Sequence, residues 1–101
     1  MRKETLVVRC LKTSSRISLD KILNSPGRYR VIKYLILTGG GNITKISREL
    51  QISHSNVKRY LEEMLAAGLV EEVKLGRARY FFPAWRDPRI KILKELIESE
   101  K

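Results

Sequence analysis

A chain of 101 residues at 43% hydrophobic content is long enough for one domain with a modest core. Its 21 basic and 11 acidic residues give a formal net charge of +10, which predicts a polyanionic partner: nucleic acid ahead of an anionic membrane surface. A single cysteine, Cys10, and a single histidine, His54, exclude an intrachain disulfide and a thiolate–imidazole cluster, and fit a reducing, cytoplasmic setting.

The chain begins Met1-Arg2-Lys3 ahead of Leu6-Val7-Val8, an apolar run too short for a signal peptide, and nothing approaches a membrane-spanning length. From Thr5 to Leu11, Leu6, Val8 and Cys10 alternate with Val7 and Arg9, predicting an extra N-terminal strand. Up to Lys33 the basic residues, Arg28 and Arg30 among them, face only Glu4 and Asp20, so residues 1–17 read as a basic arm or strand and the surplus is placed to reach flanking phosphates. Cys10 is read as a small half-buried apolar residue, with an intersubunit disulfide as the alternative.

Ser18 is suited to cap a short turn holding Leu19, Ile22 and Leu23. Ser25-Pro26-Gly27 then starts a long helix: serine suits the cap, and proline suits the first helical position because its missing N–H costs nothing there. From Arg28 to Leu37 this helix is apolar on most sides, so it is either the central helix or covered by a partner subunit. Gly39-Gly40-Gly41 ends it, and no Lys-Ser/Thr follows at the spacing of a phosphate-cradling loop.

The next stretch carries the chemistry. With Thr44 as cap, Ile46 and Leu50 share one helix face. Ser53 caps a second helix, about Ser53 to Ala67, on which Val57, Leu61, Met64 and Leu65 share a face, with Gly68 at its end. Only a short turn fits between the two, which is the helix-turn-helix arrangement. Leu69 to Lys74 and Arg79 to Pro83 read as strands around the turn Leu75-Gly76-Arg77-Ala78, a β-hairpin with a basic tip. From Arg89 onward Ile90, Leu93, Leu96 and Ile97 mark an amphipathic C-terminal helix within residues 84–101. The fold class is therefore mainly α with a small hairpin: a winged helix-turn-helix over residues 18–83.

Opposite the apolar face of the second helix stand His54, Ser55, Asn56, Lys58 and Arg59. Asparagine is able to bond adenine and arginine guanine through two hydrogen bonds each, so Ser55, Asn56 and Arg59 are candidate base contacts. Lys58 and Arg59 serve equally as phosphate contacts, and His54 is either a capping-turn residue or a DNA contact. Thr44, Lys45 and Ser47 would meet phosphates as their helix crosses the backbone. Lys74, Arg77 and Arg79 in the wing enter a narrow minor groove or hold phosphates. Glu62 and Glu63 should point away from the backbone. Tyr80, Phe81, Phe82 and Trp85 read as core or interface rather than as stacking residues for single strands. Tyr29, Val31, Ile32, Ile36, Ile90, Leu93 and Ile97 exceed what a small monomer covers. Of these, Tyr29, Ile32, Ile36, Ile90, Leu93 and Ile97 are the candidate dimer interface.

Ser25-Pro26-Gly27-Arg28, Ile46 to Leu50, Ile52-Ser53-His54-Ser55-Asn56-Val57-Lys58-Arg59-Tyr60-Leu61, Ala67-Gly68-Leu69-Val70 and Gly76-Arg77-Ala78-Arg79-Tyr80 together resemble ArsR-type winged-helix regulators, with MarR-type regulators as neighbours. The resemblance spans about Leu19 to Pro83 and implies a homodimeric, DNA-binding repressor or regulator. Metal-sensing members carry paired cysteines on the positioning helix or Asp/His ligands on the last helix. Lys45-Ile46-Ser47-Arg48-Glu49-Leu50 has no cysteine and the last helix no histidine, so no metal or other cofactor is implied.

No nucleophile–base pair or paired buried carboxylates point to an enzyme. The expected partner is double-stranded DNA, read by a cytoplasmic, nucleoid-associated homodimer. The alternatives are a chromatin-type binder without sequence preference and a winged helix used for protein assembly. An effector pocket at a dimer interface would leave no sequence signature.

Overall fold

The computed structural model describes residues 19–99. The predicted strand over Thr5 to Leu11, the basic arm, Cys10 and the Ser18 cap lie outside them. The described chain forms α1 (Leu19–Leu23), α2 (Pro26–Thr38), β1 (Gly41–Asn42), α3 (Ile43–Leu50), α4 (His54–Ala66), β2 (Val70–Leu75), β3 (Ala78–Pro83) and α5 (Pro88–Ser99). It is a winged helix-turn-helix, mostly helical, with a small antiparallel sheet of strand order β1-β3-β2.

α2 is the central helix. The Ser25 hydroxyl accepts from the Arg28 N–H at 3.3 Å and Pro26 opens the first turn. Gly39, at φ 93°, ends the helix in the left-handed conformation that glycine adopts without steric cost. Val31, Ile32, Leu35 and Ile36 are buried on it, and it packs against α1, α3, α4, α5 and β3. Ile90, Leu93 and Ile97 of α5 complete the same core with Ile46, Val57, Leu61, Met64, Leu69 and Phe81. Burial of each large side chain removes it from water at a gain of about 1.5–3 kcal/mol.

This corrects the premise of the expected dimer interface. Ile32, Ile36, Ile90, Leu93 and Ile97 are at most 8% exposed, all covered by the chain's own elements, and Tyr29 packs half-buried against that core. Helical periodicity reports that a face is buried, not what buries it. The apolar groups left outward on α5 are Ile92, 49% exposed, and Leu96, 40% exposed, one turn apart.

The start of α3 is corrected as well. Asn42, not Thr44, is its cap: the Asn42 carboxamide accepts from the Lys45 N–H at 2.8 Å, and Ile43 is already helical. Gly41 and Asn42 pair with Phe81 and Tyr80 of β3, so the cap residue also belongs to the sheet. In α5, helix begins at Pro88, and Asp87 accepts from the Arg89 N–H at 2.8 Å.

Candidate nucleic-acid interface

α3 and α4 are joined at Gln51-Ile52-Ser53. Gln51 adopts φ 58°, ψ 43°, the left-handed conformation, and its N–H bonds the Ser47 carbonyl. The Ser47 hydroxyl donates to the Ile52 carbonyl at 2.6 Å, while the Ile52 N–H returns to the Ser47 carbonyl at 3.2 Å. Ser47 is half-buried and its hydroxyl is engaged in holding this turn, which sets it apart from the outward residues of α3. Arg30 reaches over from α2 to donate to the Leu50 carbonyl at 2.6 Å, placing a cation on the negative end of α3.

α4 starts on Ser53, whose hydroxyl accepts from the Asn56 N–H at 3.2 Å. Its C-terminus closes with Leu69 N–H to the Met64 carbonyl and Gly68 N–H to the Leu65 carbonyl, with Gly68 at φ 80°, a Schellman arrangement. Between these caps Val57, Leu61, Met64 and Leu65 face the core, and His54, Ser55, Lys58 and Arg59 are exposed. Asn56 is half-buried beside them.

The wing is a two-residue hairpin: Leu75 pairs with Ala78 around Gly76-Arg77. Gly76 sits at φ 64° and Arg77 is not among the positive-φ residues, the pattern of a type II′ turn, which matches the twist of the strands. Lys74 and Arg77 are exposed at the tip.

Arg79 departs from the sequence expectation. Along β3 it shares a face with Phe81, and Phe81 pairs with Glu72 across the strands. Its Nε donates to Glu72 Oε2 at 2.5 Å, its Nη1 lies 3.4 Å from Glu62 Oε2 on α4, and its guanidinium lies 5.1 Å from the Phe81 ring centroid. Glu72 is 2% exposed, so Arg79 neutralises a carboxylate that burial would otherwise penalise. The hydrogen bond to Glu72 raises the Arg79 pKa above its ordinary value, against the opposing effect of burial. Arg79 therefore ties the wing to α4, and Lys74 and Arg77 are the wing cations left exposed.

Arg28 is similarly engaged inside the protein rather than free for flanking phosphates. Its Nε donates to Glu63 Oε1 at 2.7 Å, and this hydrogen bond raises its pKa. Glu62 and Glu63 are thus ion-pair partners of the wing and of α2.

Two concavities gather most of the predicted residues. A cleft of about 280 Å³ between the start of α3, the start of α4 and the wing is lined by Asn42, Ile43, Thr44, His54, Arg77, Ala78 and Arg79. A shallow groove of about 430 Å³ along α4 is lined by Ser55, Lys58, Arg59, Glu62, Glu63 and Ala66. Lys45 is exposed on the first turn of α3, outside both. Sequence reasoning missed Glu72 as part of this region and gave Arg28 to phosphates rather than to Glu63. The apolar-face position of Glu72 in its strand was the available signal.

No helix among the described residues is long and apolar enough to cross a membrane. No curated protein matches the chain significantly. The fold is similar to a crystal structure of a possible transcriptional regulatory protein (fragment 1–100) from Mycobacterium bovis: TM-score 0.63, 20% identity, covering 80% of this chain and 84% of that one. Residues 25–72 match the family described as bacterial regulatory protein, arsR family. That span runs from the Ser25 cap through the helix-turn-helix to Glu72 of the first wing strand, so the part of the chain similar to the arsR-family regulatory proteins is the helix-turn-helix with the start of the wing.

Proposed function

We propose that the chain is a sequence-reading regulator of transcription that places α4 in the major groove of double-stranded DNA and its wing on the flanking minor groove or phosphates. The observation that carries this is the outward face of α4, where Ser55, Lys58 and Arg59 line one groove and His54 meets Thr44 and Arg77 in the adjoining cleft. Short polar groups at a helix N-terminus approach base edges, and the cations beside them neutralise phosphates. In this reading Arg59 and Ser55 contact bases, with Asn56 at their margin. Thr44, Lys45, Lys58, Lys74 and Arg77 hold the backbone.

The regulator acts as a homodimer. Supporting this, Ile92 and Leu96 leave an apolar strip on α5 that the described residues do not cover. Two copies of α4 would then lie about 34 Å apart, one turn of duplex, on a near-palindromic site.

Duplex titration of single variants tests the assignment of roles. Arg59→Ala should cost about 1–3 kcal/mol and relax preference at one base pair, whereas Arg77→Ala should weaken all duplexes alike and lower the salt slope by about one. Equal losses on all duplexes for Arg59→Ala would make Arg59 a phosphate contact.

A further inference from the structure

Tyr60 has no place in either groove, yet it touches what lies around them. Both the Arg59 guanidinium, 5.2 Å away, and the Arg28 guanidinium, 5.4 Å away, approach its ring centroid. Arg28 is fixed in turn by Glu63 at 2.7 Å. On its hydroxyl side the ring lies against the backbone of Gly27: a Cβ there would stand 2.6 Å from the Tyr60 oxygen and 2.7 Å from Cε2. The ring is therefore held by α2 through Gly27 and Arg28, and it presents itself to Arg59.

Neighbouring residues on a helix do not normally face each other, so Arg59 has folded back to reach the Tyr60 ring. An arginine stacked on an aromatic uses the face of its guanidinium and keeps the N–H donors at its edge. Those donors form the fork that fits guanine O6 and N7. Stacking also removes side-chain freedom before DNA arrives, so less is lost on binding.

From this we infer that Tyr60 is a positioning residue for base reading: its ring, braced by Gly27 and Arg28, sets the direction of the Arg59 fork and so the base preference of α4. The inference rests on the proposed role of Arg59 as a base contact. It assigns Tyr60 no contact with DNA.

The test uses the full chain and a duplex selected from a random pool, with a second duplex altered at the base pair where Arg59→Ala relaxes preference. Discrimination between the two is measured for wild type, Tyr60→Phe, Tyr60→Leu and Gly27→Ala, each with Arg59 and with Arg59→Ala. Tyr60→Phe should retain wild-type discrimination because the ring remains. Tyr60→Leu should reduce it about two- to fivefold, the scale of an exposed cation–π contact. Gly27→Ala should reduce it in the same direction. Its methyl displaces only the far end of the tyrosine side chain, so it reads the ring's position even where Tyr60→Leu compromises folding. In the Arg59→Ala background none of the three should alter discrimination. Unchanged discrimination in Gly27→Ala and in folded Tyr60→Leu, or an equal loss with Arg59→Ala present, overturns the positioning role while leaving base reading by Arg59 intact. A pool that yields no motif, or an Arg59→Ala protein with wild-type preference, overturns base reading itself and the positioning role with it.

Discussion

Arg79 and Glu72 are joined across the wing by a 2.5 Å ion pair in which the carboxylate is almost wholly buried and the guanidinium is 28% exposed. Only Oε2 of Glu72 has a partner in the described structure; Oε1 is buried without one. The carboxylate therefore depends on a single arginine. Arg79→Ala should destabilise the fold by about 2–3 kcal/mol, below the range for a fully buried pair because water still reaches the arginine. Urea unfolding measures it. A loss under 0.5 kcal/mol would show that Glu72 finds water or another donor once Arg79 is gone.

Gln51 carries the left-handed turn between α3 and α4 that glycine adopts without a Cβ penalty. Gln51→Gly should relieve about 1 kcal/mol of strain and give back roughly half through greater freedom in the unfolded chain. The expected result is a Tm about 2–4 °C higher, read by circular dichroism. A lower Tm would mean that the glutamine side chain contributes more than its backbone costs.

Asp87 and Arg89 tie the start of α5 to the end of α4. Asp87 accepts from the Arg89 N–H, Nε and Nη2, and Arg89 Nη2 also donates to the Ala67 carbonyl at 2.9 Å. The hydrogen bond from Arg89 holds the Asp87 carboxyl below its ordinary pKa of 3.8, outweighing the effect of burial. A depressed carboxylate stabilises the fold fully above its unfolded-state pKa and ceases to do so as pH falls through the lower folded-state value. Wild type should therefore lose stability on acidification below about pH 4 more steeply than Asp87→Asn, with the two converging at the acid end. Parallel curves from pH 6 to 2 would remove Asp87 from the acid response.

Ile92 and Leu96 offer the clearest test of association. Replacing both with lysine should leave the single chain folded, because neither side chain is buried in its own core, with Tm lower only by the stabilisation that association supplies. Sedimentation equilibrium should then show monomer where wild type shows dimer. A monomeric wild type, or a double variant that stays dimeric, would contradict an interface on this face of α5.

Much of the fold was legible because local chemistry and tertiary role agree. Ser25 and Ser53 cap helices because a hydroxyl satisfies N–H groups that nothing else reaches, and Gly76 marks a two-residue turn because that turn needs positive φ. Where two residues suit one task, the sequence points to the wrong one: it predicts Thr44 as the cap of α3, but Asn42, also a capping type and paired with Tyr80 of β3, caps it. Ile90, Leu93 and Ile97 of α5 were legible as buried, but their partner, α2, is distant in sequence. Arg79 looked like a wing-tip cation because its counter-charge sits seven residues back on the facing strand. Arg28 likewise finds Glu63 thirty-five residues on. Within the candidate interface, positions on α4 followed from helical spacing, whereas the Gly27–Tyr60 contact joins two helices and leaves no periodic trace.

Selection from a random duplex pool at two salt concentrations tests the central claim most directly. Base reading by α4 in a dimer predicts one enriched, near-palindromic motif, with half-sites about one helical turn apart, that persists at the higher salt as total binding falls. Recovery of unenriched sequences at both concentrations, with affinity following salt alone, would contradict it and leave a protein that grips duplex DNA without reading it.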